Sequence, residues 1–157
     1  MTVKPVPETS PRVIPMLVCR NPEAEIEFCE RVLQAEVGVR RPGPDGKTIH
    51  AALELGEARI IIQAEFPQLA STAPELDGSS PVVIFVYVED VDRAVEMTLA
   101  AGGSVLLPAQ DQFWGDRSAR VMDPSGHVWT IASRIEDTSE QQRTERWNDI
   151  RREQAEK

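Results

Sequence analysis

The chain reads as one architectural unit written twice. Two stretches follow the same order, one strand, one helix and then three strands, and matching positions stand 69 residues apart. Cys19 closing the first strand matches Val88, and Asn21 ahead of the first helix matches Asp90. Ile26 on that helix's apolar face matches Val95, and Ile62 in the fourth strand matches Ile131. The match is one of pattern rather than of residue identity. A unit repeated in this way restricts the fold to arrangements that pair the two copies.

Local chemistry defines each copy. Val13 to Cys19 is almost continuously apolar, which predicts a strand buried on both faces. Asn21 is a helix cap, Pro22 suits the first helical position, and Glu23, Glu25 and Glu27 suit the positive end of the dipole, so a helix is predicted over 22–34. Ile26, Phe28, Cys29, Val32 and Leu33 form its apolar face, and the glutamates at 23, 25, 27 and 30 are expected on a solvated face. Strands follow at 36–41, 48–55 and 58–64, with a turn at Gly43-Pro44-Asp45-Gly46. In the second copy a strand covers 82–88 and Asp90 caps a helix that Gly102-Gly103 ends. A strand starts at Val105 and is expected to stop at Pro108; residues 111–116 form a loop carrying Phe113 and Trp114. Two strands, 117–122 and 127–133, flank the turn Asp123-Pro124-Ser125-Gly126. Ser139 and Gln142 fit a capping box for a C-terminal helix with Trp147 and Ile150 as its apolar stripe. The expected organisation is an extended arm over 1–11, a first βαβββ module over 12–66, a linker over 67–81, a second module over 82–137 and a helix over 138–157.

Charge and composition exclude several classes of function. The net charge of −9 opposes binding to nucleic acid or an anionic membrane surface. The longest apolar run is Val82 to Val88, whereas a spanning helix needs about 20 residues. Met1 to Pro11 has no apolar core of the kind a secretory signal needs. Cys19 and Cys29 make neither a disulfide framework nor a zinc knuckle and are expected to be small buried hydrophobes. A cytoplasmic protein is expected.

The duplicated pattern resembles the vicinal oxygen chelate superfamily, which includes glyoxalase I, extradiol dioxygenases and the fosfomycin and bleomycin resistance proteins. The wording of several segments is similar to its PhnB-like, glyoxalase-like branch: Pro42-Gly43-Pro44-Asp45-Gly46, Glu65-Phe66-Pro67, Val86 to Asp92, Phe113 to Arg117 and Asp123 to Trp129. The resemblance implies an α+β fold of two paired βαβββ modules, a cupped mixed sheet with helices outside, plus the C-terminal helix, in a homodimer. It also implies a place for a divalent cation, with one ligand from the first and one from the fourth strand of each module. Those places fall at Ile14, Ile61, Val83 and Thr130. Three aliphatic groups and a neutral hydroxyl do not replace a cation's hydration, so neither metal nor cofactor is expected.

What remains is a pocket. Side chains two apart on a strand share a face, so Arg59 and Gln63 join Ile61, and Met16, Phe85 and Tyr87 join Ile14 and Val83, unless Met16 and Phe85 are simple core. Trp114 and Arg117 are candidates for a lid that stacks on and orients a flat ligand, or for a loop braced by an Asp-Arg pair. His50 and His127 read as residues that start strands and bond to turns. Three functions stay open: metal-independent binding of a small, largely apolar molecule, by sequestration or modest isomerase-type chemistry; metal-dependent glyoxalase-type catalysis; or a non-catalytic interaction protein.

Overall fold

The computed structural model describes residues 3–157. Eight strands and three helices appear in the order β1 (Met16–Cys19), α1 (Pro22–Leu33), β2 (Glu36–Pro42), β3 (Thr48–Leu55), β4 (Ala58–Ala64), β5 (Val83–Tyr87), α2 (Val91–Ala100), β6 (Ser104–Asp111), β7 (Asp116–Met122), β8 (Val128–Arg134) and α3 (Glu140–Ala155). They form two four-stranded sheets, ordered β1-β4-β3-β2 and β5-β8-β7-β6. In each, the first and fourth strands run parallel and the remaining neighbours are antiparallel. The register carries the repeat: Met16 faces Ile61 as Phe85 faces Thr130, each 69 residues on.

Capping chemistry fixes the helices. The Asn21 side chain accepts from the amide of Ala24 at 3.2 Å and that of Asp90 from Arg93 at 3.0 Å, each satisfying a donor the helix leaves free. The capping box at α3 is complete, with the Ser139 hydroxyl and the Gln142 side chain bonding each other's backbone amides.

Three strand expectations need correction. β1 begins only at Met16, because Pro15 has no amide hydrogen and leaves Val13 exposed. β1 is also an edge strand, open on one face, rather than a strand buried on both. Pro108 does not end β6. The strand runs on to Asp111 as an outer strand, and its pairing with β7 shifts between Leu107 and Gln110 to accommodate the missing donor.

One apolar core serves both modules. It joins Ile26, Phe28, Cys29 and Val32 of α1 to Leu53 and Ile62 of the first sheet and to Val121, Trp129 and Ile131 of the second. The Phe28 and Trp129 rings sit 6.1 Å apart, tilted by 45°, and α1 packs against α2. Polar contacts close the same junction. Arg20 donates to the Ser125 carbonyl at 2.9 Å and to that of Pro74, and the His127 ring bonds the Val18 carbonyl at 2.9 Å.

Glu25 departs from its expected solvated face. It is 0 % exposed and lies beside Asp123 and Ser125 of the β7–β8 turn, with no hydrogen bond to either carboxyl oxygen among the described residues. Asp123 accepts from the amides of Ser125 and His127 and from the Trp129 indole, at 2.9–3.0 and 2.8 Å. Burial, with Asp123 beside it, pushes the Glu25 carboxyl well above the usual range, since two adjacent buried carboxyls cannot both ionise. Burial and Glu25 also push the Cys19 and Cys29 thiols up, so neither is a reactive thiolate.

Candidate binding site

Each sheet packs one face on the core and leaves the other open. In the first sheet the open face carries Met16, Ile61, Gln63 and Arg59, in register with Ala52, His50 and Glu54 of β3. In the second it carries Val83, Phe85 and Tyr87 of β5, Thr130 of β8, and Ser118 and Arg120 of β7. Met16 and Phe85 are 54 % and 48 % exposed, so both line the open face rather than filling the core. The Phe85 and Tyr87 rings meet edge to face at 5.2 Å.

The second open face holds an organised polar network around Asp116. This side chain is 0 % exposed and accepts from the Tyr87 hydroxyl at 2.9 Å, the Trp114 indole at 2.8 Å and Arg134 Nε at 2.6 Å. Arg134 also donates to the Tyr87 hydroxyl at 3.1 Å and lies 5.8 Å from that ring's centre. Burial alone would raise the Asp116 carboxyl, but bonds from Arg134, Tyr87 and Trp114 outweigh it and hold the group below the usual carboxylate range. Asp116 is thus a charged anchor whose acceptors are occupied. It fixes the orientation of two aromatic rings at the rim of the sheet.

Trp114 is held from behind as well. Gly115 sits at φ 97°, where an added Cβ would fall 2.4 Å from the Glu136 carbonyl, so the loop closes tightly on the segment leading into α3. The Thr138 hydroxyl bonds the Trp114 carbonyl at 2.8 Å. Arg146 of α3 bonds the Phe113 carbonyl at 3.1 Å and Glu136 at 2.7 and 2.9 Å, and Trp147 packs on Phe113 at 5.4 Å. The C-terminal helix therefore braces the aromatic loop.

Between this loop and the sheet lies a depression of about 240 Å³ lined by Leu107, Pro108, Gln110, Gln112, Trp114, Ser118, Arg120 and Thr130. Of the residues singled out from the sequence, the structure places Trp114 and Thr130 in its wall, with Phe85 opposite Thr130 on the neighbouring strand and Tyr87 in the Asp116 network. Met16, Arg59, Ile61 and Gln63 lie together on the other sheet, where Arg59 pairs with Glu54 at 2.7 Å. Arg117 stands apart from both groups, bonded to Asp92 of α2 and to Asp111 at 2.9–3.3 Å. It therefore braces the loop in the way an Asp-Arg pair does. Sequence reasoning passed over Gln110, Gln112, Ser118 and Arg120. Strand parity held a signal for the last, since Arg120 alternates with buried Ala119 and Val121.

The donor set does not suit a divalent cation. Ile14, Ile61 and Val83 offer no ligand atom and Thr130 a neutral hydroxyl, and among the described residues no three His, Cys, Asp or Glu side chains gather to hold a metal.

Comparison with known proteins supplies the family context. Residues 13–131 match the model of the Glyoxalase/Bleomycin resistance protein/Dioxygenase superfamily. An uncharacterised protein of Mycobacterium bovis is 36 % identical over 132 residues, covering 82 % of this chain and 87 % of that protein. Among solved structures, TioX from Micromonospora sp. ML1 superposes with a TM-score of 0.60 at 26 % identity, over 80 % of this chain and 100 % of TioX. The fosfomycin resistance protein FosX from Mesorhizobium loti shares the fold with a TM-score of 0.60 at 15 % identity, over 85 % of this chain and 97 % of FosX.

Proposed function

The chain belongs to the glyoxalase/bleomycin resistance protein/dioxygenase superfamily, and within it we propose that this protein binds a small, largely apolar molecule in its cup without the aid of a metal ion. The observation that carries this reading is the second open face: a depression walled by Leu107, Pro108 and Trp114, beside aromatic rings locked in place by a buried anchor. Rigid aromatic walls with a few polar groups are the make-up of a small-molecule site. Asp116 already accepts from three donors, so it orients the walls rather than acting as a base. Sequestration therefore fits better than isomerisation.

A second copy would complete the cup. About 240 Å³ falls below the roughly 300–1,000 Å³ usual for ligand pockets. β1 and β5 are edge strands whose open faces expose Met16, Val83, Phe85 and Tyr87. A homodimer that covers these faces buries them and deepens both cups. Two unpaired buried cysteines suit a reducing compartment such as the cytoplasm.

A thermal-shift screen of small apolar compounds tests the reading. A true ligand at about 100 times its dissociation constant adds roughly 2.7 kcal/mol of stability. The shift should survive chelator and weaken in Trp114→Ala. An absence of any stabilising compound, or stabilisation only with added divalent metal, contradicts it.

A further inference from the structure

Resting on that reading, we infer that the ligand of the second cup carries a carboxylate, and that Arg120 is the residue that selects it. Arg120 projects from β7 on the open face, opposite Thr130 and Leu107 in the registers of the two neighbouring strands. It lines the depression, is exposed, and its side chain makes no hydrogen bond or ion pair with any described residue.

Three other arginines near the cups are neutralised. Arg134 is held by Asp116 at 2.6 Å, Arg117 by Asp92 and Asp111, and Arg59 by Glu54. No carboxylate lines the depression. Its other polar groups are the amides of Gln110 and Gln112 and the hydroxyls of Ser118 and Thr130, all able to donate to an oxyanion. A guanidinium offers a planar fork that matches a carboxylate, and a flat body attached to that carboxylate reaches the Trp114 wall.

Charge sharpens the assignment. The chain carries a net charge of −9, so an anionic ligand is repelled by the protein as a whole. An unpaired cation in a recess without carboxylates reverses that preference locally. The first module has no arginine at the equivalent place, since Ala52 faces Ile61 there as Arg120 faces Thr130 here, and its Arg41 stands on the outer strand opposite His50.

The test uses the full chain and matched probes: benzoate, 2-naphthoate and indole-3-carboxylate, each against its own primary amide, titrated by calorimetry at low salt. The acids should bind at least about tenfold more tightly than the amides, roughly the value of a charge-assisted hydrogen bond. In Arg120→Gln that advantage should fall to within about twofold, while Arg120→Lys retains part of it as a point charge without the fork. Trp114→Ala should weaken acids and amides alike. Equal affinity for acids and amides in the unaltered protein, or an acid preference intact in Arg120→Gln, overturns the inference and leaves the small-molecule site standing. Failure of every acid and every amide to bind removes both.

Discussion

The two cups descend from one pattern and have diverged in chemistry. The first is floored by Met16 and Ile61 and carries His50, Gln63 and Arg41 around them, with Arg59 matched by Glu54. The second sets Phe85 and Thr130 in the equivalent places, adds the network of Tyr87, Trp114, Asp116 and Arg134, and keeps Arg120 free of partners among the described residues. The junction is similarly one-sided: Glu25 is buried at the position where the second helix carries Ala94. Duplication preserved the backbone and its caps. The buried hydrogen-bonded network around Asp116 stands on one copy, the copy that α3 also braces.

Removing the anchor should have the largest effect. Asp116→Ala frees Tyr87, Trp114 and Arg134 together, and should cost about 2–4 kcal/mol in urea unfolding, in line with losing charged hydrogen bonds at a buried acceptor. Glu54→Ala in the first cup breaks a partly exposed pair and should cost no more than about 1 kcal/mol. Equal costs would erase the contrast between the cups.

The junction should answer to pH in a way the network does not. The raised Glu25 carboxyl contributes a stability that is whole below the ordinary glutamate range and is lost as pH rises from there through its folded-state value. The lowered Asp116 carboxyl works in reverse: its contribution is present above the ordinary aspartate range and fades as pH falls through its folded-state value. Thermal melts of Glu25→Gln across pH should therefore be flatter on the neutral side than those of the unaltered protein. A parallel pair of curves would mean that Glu25 does not hold its proton.

Smaller effects concern ligand affinity. Trp114→Ala should weaken binding of an aromatic probe about tenfold, the loss of one stacking wall. Arg59→Gln, on the first cup, should leave affinity within about twofold and stability within about 0.5 kcal/mol. A larger loss from Arg59 than from Trp114 would move the site to the first cup.

Much of the fold was legible because local rules and the repeat agreed. Asn21, Asp90 and Ser139 announced their helices, and period-two alternation set which side chains share the open faces. What escaped depended on distant partners. Glu25 sits in a run of glutamates at helical spacing that reads as a wet surface, and only the β7–β8 turn, a hundred residues away in sequence, buries it. Arg117 looks like a site residue beside Trp114 until Asp92 on α2 claims it. Pro108 reads as a stop, yet an outer strand tolerates it by shifting register. Arg120 was missed because a lone arginine in a strand carries no motif; its meaning comes from the carboxylates that are not near it.

The most direct test of the account is the divalent metal content of protein purified without chelator, set beside its melting temperature with and without one. We expect far less than one ion per chain and an unchanged melt. A stoichiometric ion, whose removal destabilises the protein or abolishes ligand binding, would contradict the reading of the cup as a metal-free site.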